Sequence, residues 1–297
     1  MTIFYLTFGS KTEFHVQAYL SMMSFRRQMA ADDRIVMITT APQFYVHMAK
    51  WAEIITVDER QIEAWQGEHR FFWRAKIKAI EFISQRYPGD DILYLDCDTL
   101  LYGDLADLKQ SLSEGYGLMD ENEGHPMHMK TKTLRMWRTI QGRTYGGITL
   151  GAQHHMYRAG VVGIPHVKAT ETIATALALC DGMLADEAER IVIEQYALSV
   201  ALFEKTGLQE THPTIAHYWA AKEGWVQMGM DLLARVLLTG ASPDEEMRLF
   251  EALNLHRQPI YVYKSNTARR LKNLVAKAFP DRDYRFVQEE HFAQKRI

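Results

Sequence analysis

Asp91-Ile92-Leu93-Tyr94-Leu95-Asp96-Cys97-Asp98-Thr99-Leu100-Leu101-Tyr102-Gly103-Asp104-Leu105 is the stretch whose reading decides the fold. Ile92 to Leu95 form an uninterrupted apolar run, as in a strand buried on both faces. Pro88-Gly89-Asp90 supplies a turn before it, and Asp104 stands where the N-cap of a following helix would fall. At the carboxyl end come Asp96 and Asp98, one residue apart. Side chains alternate across an extended backbone, so the i and i+2 carboxylates are expected to share one side while Cys97 points away. Two hard oxygen ligands at such a place suit Mg2+ or Mn2+, which keep positions for water and substrate phosphates. The predicted guest is a metal-bound diphosphate.

Working outward, the chain of 297 residues is long enough to bury a large core. Charged residues at 24% and hydrophobic ones at 47% are ordinary for a globular protein, and a net charge of -3 argues against a nucleic-acid partner. Met1-Thr-Ile-Phe-Tyr-Leu6 is too short and lacks the basic leader of a signal peptide, and no later stretch reads as a membrane span. The expected location is cytoplasmic, at most at the inner face of the membrane. Cys97 and Cys180 have no CxxC spacing, so neither a disulfide framework nor a structural zinc site is suggested.

Strands are expected at 3–7, 34–39, 53–57, 117–120 and 160–164 in addition to the central one. Helices are expected at 14–29, with an apolar face of Phe14, Ala18, Met22 and Phe25, and at 72–86, 174–184 and 187–203. This alternation predicts an α/β fold: a mostly parallel central sheet, helices on both faces, and ligands beyond the carboxyl ends of the strands. Residues 121–155, rich in Gly, His, Lys and Thr, show no clear period and are expected to be irregular and to bind an acceptor. The pairs His125/His128 and His154/His155 lack carboxylate or Cys partners at ligand spacing and are not read as a metal site.

The phrase Tyr94-Leu-Asp-Cys-Asp-Thr-Leu-Leu-Tyr-Gly-Asp-Leu-Ala-Asp-Leu108 resembles the metal-binding segment of nucleotide-sugar glycosyltransferases with the GT-A fold, above all the glycogenin and lipooligosaccharide galactosyltransferase group. Further segments follow in the order that this resemblance implies. Thr7-Phe8-Gly9-Ser10 would carry the nucleoside, although the acidic residue common in that loop is absent. In Phe71-Phe-Trp-Arg-Ala-Lys-Ile-Lys78, Lys76 with Arg74 nearby would reach the donor; Lys78 shares the face of Arg74. Asp120 would accept hydrogen bonds from donor-sugar hydroxyls. Met156-Tyr-Arg-Ala-Gly-Val161 is similar to the family's Asn-Ala-Gly-Val strand, with Arg158 in place of Asn. Glu194-Gln195 is similar to its Asp-Gln pair and would border the anomeric carbon as the catalytic pair. Ala216-His-Tyr-Trp-Ala-Ala-Lys-Glu-Gly-Trp225 resembles its terminal segment, in which His217 would join Asp96 and Asp98 as metal ligand and Lys222 would hold the diphosphate. Lys222 sits one position early, and the family's Gly and Pro are missing.

The resemblance covers about residues 1–225, and it implies metal-dependent transfer of a sugar from a nucleoside-diphosphate donor to a hydroxyl of a glycan or lipid-linked acceptor, with retention. The cofactor would be Mn2+ or Mg2+. A sugar-phosphate nucleotidyltransferase is the rival enzyme, but Thr7-Phe-Gly-Ser-Lys11 lacks the Gly-rich, Arg-containing loop typical of those enzymes. A nucleotide-sugar-binding protein without transfer activity is the other alternative. The domains expected are a catalytic domain at 1–225 and a helical C-terminal extension at 226–297. In that extension Leu271, Leu274, Val275, Ala278 and Phe279 fall on one helical face, while Lys264, Arg269, Arg270, Lys272 and Lys277 supply cations. Segment 264–280 is therefore expected either to pack on the catalytic domain or to lie on an anionic membrane.

Overall fold

The structure, a computed structural model, describes residues 1–262 and 266–279. The chain opens with β1 (Thr2–Thr7), crosses over through α1 (Thr12–Arg26) to β2 (Arg34–Thr39), and continues to β3 (Glu53–Thr56), each strand parallel to its neighbour. Next comes α2 (Glu59–Trp65), begun by Asp58, whose carboxylate accepts from the Gln61 amide. Helix α3 (Arg74–Arg86) leads to β4 (Ile92–Leu95), laid parallel against β1. After β5 (Thr99–Leu101), α4 (Leu105–Ser113) is capped as expected by Asp104, which accepts from the Ala106 amide at 2.8 Å.

Strand β6 (Gly117–Met119) is followed by β7 (Asn122–Gly124), α5 (Thr131–Ile140), the paired β8 (Thr144–Tyr145) and β9 (Ile148–Thr149), and β10 (Met156–Tyr157). Then come β11 (Val161–Ile164), α6 (Ala169–Ala185), α7 (Ile193–Thr206), β12 (Leu208–Glu210), β13 (Ile215–His217), α8 (Lys222–Thr239) and α9 (Pro243–Glu251).

Seven strands form the central sheet in the order β12-β6-β11-β4-β1-β2-β3. Only β11 runs against its neighbours in that sheet, so it is mostly parallel, as the alternation of strands and helices predicts. Alternation along each strand divides the core. Phe4, Val36, Tyr94 and Val162 face α3, α6 and α7, whereas Ile3, Tyr5, Ile35 and Leu93 face α1, α4 and α8.

Three expectations are corrected. Helix α1 carries no single apolar face: residues from His15 to Phe25 are buried on nearly every side, and Phe14 is the exposed one. The reason is a second covering layer, because α8 crosses α1 so closely that a Cβ on Gly229 would meet Val16 and Leu20 at 2.5 and 3.0 Å. Residues 121–155 are not irregular. They contain α5, whose Met136, Trp137 and Ile140 are buried while the cations between them mask the period. Finally, Asp96-Cys97-Asp98 does not prolong β4 but turns the chain between β4 and β5, with the Asp96 amide donating to Gly160 O at 2.8 Å and Thr99 Oγ1 donating to Asp96 O at 2.8 Å.

Met1–Ile260 forms one compact unit, and the expected boundary at 225 falls inside α8. Trp225, Leu232 and Val236 of that helix share a core with Tyr5 and Leu20. Residues 261–297 form a second unit, in which α10 (Asn266–Ala278) has Leu271, Leu274, Val275 and Ala278 at spacings of one helical face. Lys264, the Arg269 side chain and residues 280–297 lie outside the described residues. Among the described residues no helix is long and apolar enough to cross a membrane.

Candidate functional site

Because β4 is central and parallel to β1, its carboxyl end opens into the crevice where open α/β sheets bind ligands. The turn after β4 presents Asp96 and Asp98 there. Strand β13 pairs antiparallel with β5, matching His217 to Thr99, and the Tyr218 amide donates to Asp98 O at 2.9 Å. These pairings bring Asp96, Asp98 and His217 together, with one potential ligand atom from each lying within 4.8 Å of the others. Two carboxylate oxygens and one imidazole nitrogen are a donor set that could hold a divalent cation.

The electrostatics around this triad are tightly compensated. His217 Nδ1 contacts Asp120 Oδ2 at 2.8 Å, and its Nε2 lies 3.5 Å from Asp98 Oδ1. Burial alone would lower the His217 pKa, but hydrogen bonds to Asp120 and Asp98 and the nearby negative charge outweigh it and raise the value to about 9. Burial of Asp98 would raise its pKa, yet His217 and Lys222 hold it well below the usual carboxylate range, Lys222 Nζ being 2.6 Å from Asp98 Oδ2. Lys76 is buried; its Nζ donates to Ala159 O at 2.9 Å and lies 3.4 Å from Asp96 Oδ1. Tyr94 donates a short hydrogen bond to that same oxygen.

Two lobes of a cleft meet at Trp73, Asp96, His217 and Trp219. One is lined by Leu6, Thr7, Phe8, Phe14, Gln17, Cys97, Asp98 and Lys222. Phe8 packs edge-on against Phe72 with ring centroids 4.8 Å apart, and Gly9 turns the chain at φ +75° with its carbonyl against His15 Nε2 at 3.1 Å. Thr7 Oγ1 already accepts from the Tyr45 hydroxyl at 2.9 Å. The other lobe holds Lys76, Glu123, Arg158, Ala159, Gly160, Glu194 and Gln195. Gln195 is fixed there by donating to Glu123 Oε2 at 2.9 Å, while Arg158 reaches Glu121 at 2.6 Å and Glu123 at 3.1 Å. Glu194 is buried with its Oε2 lacking a hydrogen-bond partner, and burial pushes its carboxyl pKa up.

Most of the residues singled out in the sequence therefore converge. Arg74 does not: its guanidinium is bound to Asp181 at 2.7 and 2.9 Å and to Trp65 O at 3.0 Å, anchoring α3 to α6. Asp120 sits at the triad but lines neither lobe, its carboxylate being turned to His217. Lys78 pairs with Glu81 on its own helix. Sequence reading missed Gln17, Trp73 and Trp219 as lining residues. Trp73 and Trp219 are half-exposed, an unusual state for so large an apolar side chain, but exposure is not visible in a sequence.

No family model matches this sequence, and no curated protein matches it either. Solved structures do match by fold. An active-site mutant of LgtC is similar with a TM-score of 0.50 at 13% identity, over 99% of this chain and 100% of that one. The galactosyltransferase LgtC in complex with donor and acceptor sugar analogs gives 0.46 at 13% identity over the same shares, and mouse xyloside xylosyltransferase 1 in its apo form gives 0.43 at 10% identity, over 71% of this chain and 85% of that chain. The fold is GT-A, the architecture implied by the resemblance of the segment around Asp96-Cys97-Asp98.

Proposed function

We propose that this protein is a metal-dependent glycosyltransferase of the cytoplasm that moves a sugar from a nucleoside-diphosphate sugar to an acceptor hydroxyl with retention. The observation that carries this reading is the convergence of Asp96, Asp98 and His217 where the two lobes of one cleft meet. Mn2+ or Mg2+ held by these three residues would neutralise charge on the leaving diphosphate.

The remaining chemistry belongs to side chains of the chain itself. Lys222 and Lys76 bring two cations to the carboxylates and are placed to clamp the diphosphate. Thr7 and Phe8, with Phe14, supply a largely apolar lobe fitting a nucleoside, and Glu194 and Gln195 border the other lobe, where the sugar would lie. Retention is what the resemblance implies, and within it Gln195 is a poor nucleophile beside a buried Glu194 whose charged form is disfavoured. Same-face attack assisted by the leaving phosphate fits such a site better than a double displacement, which needs an ionised carboxylate under the anomeric carbon.

The proposed catalytic residues all lie within 1–225, ahead of the C-terminal extension expected from the sequence. Within it, the cationic amphipathic segment 264–280 would bring the site to an acceptor on an anionic membrane. A hydrolysis screen over nucleotide sugars with Mn2+ or Mg2+ tests the proposal: slow release of the nucleotide from one donor, stopped by chelator, is expected. Metal-independent binding of every nucleotide sugar, with no turnover, would overturn it. Flotation with anionic liposomes at low salt tests the membrane contact, and failure to co-float removes it.

A further inference from the structure

His217 comes from a two-stranded ribbon outside the main sheet, yet its ring is held from two sides by that sheet. On one side stands Asp120, buried at 2% exposure directly after β6. Its backbone is pinned, the amide donating to Arg158 O at 3.2 Å and the carbonyl accepting from the amides of Thr211 and His212 at 3.2 Å. On the other side is Gly160, just ahead of β11: a Cβ there would lie 2.3 Å from His217 Cε1 and Nδ1, so the imidazole rests directly on the glycine.

We propose that Asp120 and Gly160 are positioning residues for His217, fixing the ring so that Nε2 faces Asp98 and the metal position. This deepens the metal-dependent reading above and rests on it. An ionised carboxylate only accepts hydrogen bonds, so the Asp120 contact at 2.8 Å keeps a hydrogen on Nδ1, and Nε2, whose own proton an ion would displace, is the atom left to ligate. Carboxylates behind a ligating histidine orient the ring and strengthen it as a ligand, typically by about 10–100-fold in metal affinity. Gly160 contributes shape, since any side chain would push the ring off that axis. The role differs from the sugar-hydroxyl contact that the sequence suggests for Asp120, which lines neither lobe.

The two roles separate in a titration with Mn2+ alone, followed by electron paramagnetic resonance, because no sugar is present. Asp120→Ala is expected to weaken Mn2+ binding by about tenfold or more, whereas Asp120→Asn, whose carboxamide oxygen can still accept from Nδ1, stays within a few-fold of the unsubstituted protein. Gly160→Ala should also lose about tenfold by displacing the ring. Unchanged Mn2+ affinity in Asp120→Ala would overturn the proposal, as would an Asn variant as weak as the Ala variant. Should Asp120→Ala fail to fold, the other pair decides: affinity kept in Asp120→Asn and lost in Gly160→Ala supports the assignment, and any other result overturns it. Absence of Mn2+ binding in the unsubstituted protein overturns this inference together with the metal reading. Donor hydrolysis is measured separately, so a positioning effect on Mn2+ without turnover of any nucleotide sugar would sink the transferase reading alone.

Discussion

Asp98 carries more of the site's charge balance than Asp96, since it contacts both Lys222 and His217. We expect Asp96→Ala and Asp98→Ala to abolish metal-dependent nucleotide binding and turnover while circular dichroism stays native. The fold survives because the freed Lys222 can return to water, and His217 can release its proton, when Asp98 is lost. Calorimetry over nucleoside diphosphates with and without chelator checks this, and equal affinity in both would refute the metal assignment. Glu194→Gln keeps the shape of a carboxyl that burial already biases toward its neutral form. That variant and Gln195→Ala should slow transfer without accumulating a glycosyl-enzyme in intact-mass spectra, and an α-linked donor should give an α-linked first product by proton NMR. At this scale the sequence revealed residue type and chain order but not which partner each side chain meets. Helical spacing puts Lys76 and Arg74 on different faces, but only the packing shows that one meets Asp96 and the other Asp181.

Helices α8 and α9 illustrate how an element's role depends on what it covers. Gly229 on α8 lets that helix approach α1, so Gly229→Leu should force the pair apart and cost about 1–3 kcal/mol, read from urea unfolding. On α9 the buried Glu246 accepts from Tyr19 at 2.7 Å and is bound by His47 and Lys50 at 3.0 and 2.5 Å. Burial works against its charged form, but these partners prevail and depress its pKa below the ordinary 4.5. A group with a depressed folded-state pKa stabilises fully above its unfolded value and loses that contribution as pH falls through the folded one. Glu246→Gln should therefore lower the melting temperature most at neutral pH, with the gap to the unsubstituted protein narrowing below about pH 4.5. A constant gap from pH 7 to pH 3 would contradict this. Most strands and helices of the first half were legible because apolar runs and turn residues repeat there, although the short α2 and β5 were not. Helix α5 was not, because Lys132, Arg135 and Arg138 interrupt the apolar residues that it buries.

The molecule as a whole places its proposed catalytic residues in segments far apart in sequence, joined by a sheet whose central strands are β4 and β1. Chain ends cut at 260 and at 225 should behave differently. A protein of residues 1–260 keeps the compact unit and should unfold cooperatively, whereas one of residues 1–225 loses Leu232, Val236, Phe250 and Leu255 from the core around α1 and should aggregate. Equal solubility and equal melting curves would argue that α8 and α9 are dispensable. The antiparallel β11, by contrast, is invisible to an argument from alternation, because direction in a sheet depends on the path of the connection rather than on the strand's own residues. The pairing of β13 with β5 has a further consequence for biosynthesis. A ribosome releases the chain from its amino end, so a nascent polypeptide that has emerged through α7 already displays both aspartates yet has no imidazole beside them. The proposed ion site is complete only once β13 has emerged and paired with β5. A chain arrested before that point would therefore lack the transfer activity proposed above.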